Sequence, residues 1–71
     1  MKPDMRRHAD QERNLLMRIK SEGPLRTRGH DRAWVYAALH RLVAQKLVQR
    51  DLIGYVLTPG GWLRVKELEA E

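Results

Sequence analysis

The sequence predicts a mainly α domain that carries one small β-hairpin, and three observations predict it. Val35, Ala38, Leu39 and Leu42 recur at the spacing that lines up one face of a helix. Two short runs, Leu47-Val48-Gln49-Arg50 and Tyr55-Val56-Leu57-Thr58, read as strands joined by a tight reversal over Asp51 to Gly54. Thr58-Pro59 then opens another helix, with a hydroxyl at the cap and proline at the first helical position.

Taken in chain order, the first helix is expected from about Ala9 to Ser21, with residues 1–8 a flexible arm. Leu15, Leu16 and Ile19 form its apolar face, Glu12 and Arg13 turn to solvent, and either Asp4 or Asp10 caps its start. Gly23-Pro24 ends it, because proline cannot continue the hydrogen-bond ladder. The segment from Leu25 to His30 reads as a one-turn helix opened by Pro24 and closed by Gly29; the alternative is a short strand, Leu25 to Thr27, laid against the hairpin. The central helix runs from Asp31, as N-cap, to about Gln45. At 100° per residue, Arg32, Ala33, Tyr36, Ala37 and His40 lie away from its buried stripe. Trp62, Val65 and Leu68 give the last helix a face to bury, with Trp62 mostly covered and Leu63 outward. Trp34, at the margin of the central stripe, packs on the first helix or on a second copy.

The 71 residues make one small domain with a thin core, since a chain of this size buries only ~60% of its unfolded surface. No cysteine staples it. No apolar run approaches the ~20 residues of a membrane span, and the charged N-terminus leads to no apolar signal core, so a cytoplasmic location is expected. The formal net charge is +5, of which +4 falls between Met1 and Val35, where nine basic residues face five acids. A basic surplus attracts polyanions through counterion release.

The stretch from Val35 to Leu68 resembles winged helix-turn-helix transcriptional regulators, such as the MarR-type and PadR-type families. In those families the recognition helix ends in spaced leucines followed by a small residue and an aliphatic pair; here these are Leu39, Leu42, Lys46, Leu47 and Val48. Their wing returns through an aromatic, leucine, threonine and glycine, here Tyr55, Leu57, Thr58 and Gly61, with Val56, Pro59 and Gly60 between. Two departures stand out. Lys46 replaces the usual glycine before the first wing strand, so the turn there either avoids left-handed geometry or bears its strain. The second helix is clipped, since few residues separate Gly23 from Asp31. The chain therefore looks more like minimal phage or accessory winged helices than like full-length regulators, and it has no room for their dimerisation and effector-sensing helices.

The resemblance implies a helix from residue 31 to 45 in the major groove. Arg32, Ala33, Tyr36, Ala37 and His40 are its candidate base contacts: arginine pairs with guanine in a bidentate way, tyrosine and histidine bond base edges or phosphate, and the alanines allow close approach and pack on thymine methyls. Arg26, Thr27, Arg28, His30, Lys46 and Arg50 are the candidate phosphate contacts. The wing tip, Asp51-Leu52-Ile53-Gly54, is short, partly apolar and carries an acid, so it lacks the basic tip that usually probes the minor groove. Leu52 and Ile53 either fold back on the core or meet a protein partner.

Enzyme chemistry finds no support. The only serine is Ser21, and His8, His30 and His40 lack metal-ligand spacing. Gly60-Gly61 lacks the further glycine and lysine of a phosphate loop. The expected partner is double-stranded DNA, with a homodimer or a regulatory protein to strengthen binding, and no cofactor, metal, membrane or small-molecule effector. The rival reading is a winged helix that binds protein rather than DNA.

Overall fold

The computed structural model describes residues 3–27 and 32–71. Three helices and one antiparallel hairpin follow in the order α1 (Pro3–Glu22), α2 (Ala33–Ala44), β1 (Val48–Arg50), β2 (Tyr55–Leu57) and α3 (Pro59–Ala70). Leu15, Leu16 and Ile19 of α1 meet Val35, Ala38, Leu39 and Leu42 of α2, Val48 and Leu57 of the hairpin, and Val65 and Leu68 of α3 in one core.

Helix α1 starts six residues before the expected Ala9, so Asp4 and Asp10 lie inside the helix and neither is its cap. The early start left no apolar period to detect, because residues 7–10 are all exposed; proline at the first helical position suits a helix start by its fixed φ. The exit matches expectation: the Gly23 N–H donates to the Ile19 carbonyl at 3.0 Å. Glu12 departs from its expected solvent-facing position. Arg41 of α2 reaches it, Nε to Oε2 at 2.8 Å, and Gln45 Nε2 donates to its other oxygen at 3.3 Å. Arg41 Nη2 also donates to Gln11 Oε1 at 3.3 Å, so this half-buried cluster clamps α1 to α2. Lys20 of α1 pairs in addition with Glu69 of α3.

Helix α2 buries Val35, Ala38, Leu39 and Leu42, the four residues of the stripe read from the sequence. Its N-cap position is Arg32, whose side chain makes no cap bond; the expected cap, Asp31, lies outside the described residues. Its C-terminus closes in a Schellman motif: the Lys46 N–H donates to Val43 O at 2.9 Å and the Leu47 N–H to Leu42 O at 3.0 Å. Lys46 occupies the position that glycine favours, at φ +63°, so the turn is left-handed and bears the strain of a Cβ. Lys46→Gly is therefore expected to stabilise the fold by about 1 kcal/mol, read as a higher urea midpoint at unchanged slope.

The hairpin pairs Val48 with Leu57, Gln49 with Val56 and Arg50 with Tyr55. Leu25 adds a single-residue bridge on the other edge of β2, with both bonds to Tyr55 made, at 2.9 and 2.8 Å. This corrects the expected one-turn helix: Pro24 to Thr27 are not helical, and the strand alternative describes Leu25. Two main-chain bonds to β2 outweigh the single turn that so short a helix offers. The closure at Gly29 lies outside the described residues.

Thr58 caps α3 as expected. Its Oγ1 accepts from the Gly61 N–H at 3.0 Å and donates to the Lys46 carbonyl at 2.6 Å, so one hydroxyl joins the start of α3 to the end of α2. Trp62, expected to be mostly covered, is 49% exposed. The buried stripe of α3 is Gly61, Val65 and Leu68. Gly61 sits so close to the Leu47 carbonyl that only a residue without Cβ faces the core there, which turns Trp62 about 100° outward.

Candidate nucleic-acid interface

The exposed face of α2 carries Ala33, Tyr36, Ala37 and His40, with Arg32 exposed at the N-cap. These residues repeat at three- and four-residue spacing and so form one row along the helix. Small residues at 33 and 37 keep the middle of the row low, with longer polar side chains at Arg32, Tyr36 and His40 around it. Among the described residues no acid lies in the first turn, and the Arg32 side chain makes no cap bond there, so the N–H groups and the positive end of the helix dipole suit an anion. Four of the five candidate base contacts thus share one exposed helix face, and the fifth, Arg32, is exposed at its N-cap.

The candidate phosphate contacts are more dispersed. Lys46 and Arg50 are exposed and line a shared shallow groove between the end of α2, β1 and the start of α3. Arg26 and Thr27 are exposed beside the hairpin, and with Arg50 line a second concavity that runs to the tip. Arg26 has a structural task as well, because its Nε donates to the Ile53 carbonyl at 3.2 Å. Arg28 and His30 lie outside the described residues. Leu52 and Ile53 do not fold back on the core: they are 102% and 55% exposed.

Charge is segregated along these elements. From Arg32 to Thr58 four basic residues face one acid, net +3, whereas residues 59–71 hold two basic residues against three acids, net −1. The three ion pairs use Lys20, Arg41 and Arg64, and leave Arg26, Arg32, Lys46 and Arg50 without an acidic partner among the described residues. The structure also presents apolar side chains that the sequence pattern did not single out as surface, Val43 at 41% and Trp62 at 49%, beside the expected Leu63 at 64%. A signal for Trp62 does exist in the sequence: a glycine one residue earlier leaves the helix face ambiguous. Among the described residues no group of three His, Cys, Asp or Glu can hold a metal ion, and no helix is long and apolar enough to cross a membrane. A comparison with known protein families, curated proteins and solved structures finds no match to this chain.

Proposed function

We propose that this chain is a winged helix-turn-helix domain that binds duplex DNA sequence-specifically and serves transcription regulation, with α2 as the recognition helix and the hairpin as the wing. The observation that carries this reading is the exposed row on α2, low at Ala33 and Ala37, in the stretch from Arg32 to Thr58 that carries net +3. Arg32 is the candidate for a guanine, Tyr36 and His40 for base edges or phosphate, and the two alanine methyls for thymine. Arg26, Lys46 and Arg50 hold phosphates on either side. The bond pair between Leu25 and Tyr55 supports the reading, since it ties the hairpin to the segment that leads into α2.

Affinity for duplex DNA across a salt series tests this. Three neutralised phosphates give a log–log slope of about −3, which weakens binding roughly 40-fold between 50 and 200 mM salt. Arg32→Ala is expected to cost about 1–3 kcal/mol on the preferred site and little on random DNA, whereas Arg50→Ala weakens all sequences alike. Absence of binding at low salt overturns the reading. A second reading, a winged helix that docks on protein or on its own copy, draws support from Val43, Trp62 and Leu63 on the surface. A two-dimensional NMR titration separates the two: shifts gather on α2 with DNA, or on α3 with a protein.

A further inference from the structure

We propose that the hairpin tip is an apolar wedge, with Leu52 entering the DNA minor groove beside Arg26 and Arg50 and partly unstacking one base step. The proposal rests on the DNA-binding reading and names a second element of that same interface. Leu52 is fully exposed, yet the tip that carries it is tightly built. Asp51 and Gly54 exchange both main-chain hydrogen bonds, at 2.7 and 3.2 Å. The Asp51 carboxylate accepts from the Leu52 N–H at 2.8 Å, and Arg26 Nε donates to the Ile53 carbonyl. Six of the eight main-chain polar groups from Asp51 to Gly54 are therefore satisfied within the chain. Such a tip gives up little hydration on entering a narrow groove, and its one acid is turned onto its own backbone.

Three further features favour DNA as the occupant. Arg26 and Arg50 line the same concavity as Asp51, Leu52 and Ile53, so two cations and one acid accompany the apolar tip, a balance that suits a polyanion. Two apolar residues offer too little area for a stable protein interface, but a single leucine or isoleucine is enough to wedge a base step. A two-residue tip is also narrow, as a groove about 6 Å wide requires.

The test uses the full chain and end-labelled duplexes of about 20 base pairs, with 2-aminopurine at a central TA step, which unstacks easily. Binding is expected to raise the 2-aminopurine emission and shorten the end-to-end distance read by energy transfer. Leu52→Ala should abolish both signals and weaken binding roughly tenfold. Asn14→Ala, at an exposed position on α1, should leave both intact. Circular dichroism checks that the variants fold. Binding without unstacking, or unstacking that survives Leu52→Ala, overturns the wedge and leaves the DNA reading standing. No binding to duplex at low salt overturns both, as does Leu52-dependent partition onto anionic vesicles in place of DNA.

Discussion

Gly61→Ala is expected to lower stability by about 3 kcal/mol or more, a large share of the ~4–10 kcal/mol that a chain of this length commands. A Cβ at Gly61 would lie 2.0 Å from the Leu47 oxygen, 3.0 Å from its carbonyl carbon and 3.2 Å from Leu57 Cδ2. Leu47 has little freedom to yield. Its N–H closes the Schellman motif on Leu42, and its carbonyl accepts from the Thr58 N–H at 3.1 Å. Relief must come from α3 moving outward, which unseats Val65 and Leu68, 1% and 6% exposed in the native fold. Thermal unfolding followed by circular dichroism should show a midpoint at least ~12 °C lower. Gly60→Ala is the internal control. Its added Cβ meets nothing closer than 3.5 Å, so it should be neutral or gain up to about 1 kcal/mol from helix propensity. Equal midpoints for the two variants would show that the close approach at Gly61 is not what seats α3.

That close approach also explains which parts of the fold were legible in the sequence. Local rules worked wherever the decisive partners lie within a few residues. The stripe of α2, the turn from Asp51 to Gly54 and the Thr58-Pro59 helix start all emerged as read, and the strands differ only at their outer ends. Errors arose where a distant element decides. Leu25 takes its partner from Tyr55, thirty residues away, so local sequence could offer its strand only as the alternative to a one-turn helix. Glu12 looked solvated until Arg41 and Gln45 arrived from another helix. Trp62 followed hydrophobicity, while the facing of α3 was set by which residue could approach the Leu47 carbonyl. The candidate site divides in the same way. The exposed row on α2 follows from helix geometry alone, so Ala33, Tyr36, Ala37 and His40 share a face as expected, while Arg32 stands at the extended N-cap. The contribution of Arg26 to the tip depends on the hairpin reaching back across the chain, and charge pattern alone gave it only a phosphate-binding role.

The second large effect falls on that junction. Gly54 has φ +152°, and an added Cβ would sit 2.6 Å from the Leu25 oxygen and 2.9 Å from its carbonyl carbon. Gly54→Ala must therefore break the close approach between the hairpin and Leu25 as well as bear backbone strain, at a cost of about 2–4 kcal/mol if the native arrangement were kept. Unlike α3, the Leu25 segment has an escape: it contributes one bridge and a partly buried side chain, and it lies outside the fully buried core. The loss should accordingly be local. In native-state hydrogen exchange the amides of Leu25 and Tyr55, which bond each other's carbonyls, should lose protection while those within α2 keep it. Release of Leu25 also loosens the neighbouring Arg26 from the Ile53 carbonyl, so the tip and its cation are no longer held together. On the DNA reading, affinity should fall roughly tenfold, since ordering the segment then costs free energy at each binding event. Retained protection at Leu25 and Tyr55 with unchanged affinity would mean that the tip accommodates the methyl, and that its hold on Arg26 does not depend on Gly54. Uniform loss of protection across α2 would instead make the bridge part of the global fold and remove the case for an independently ordered wing.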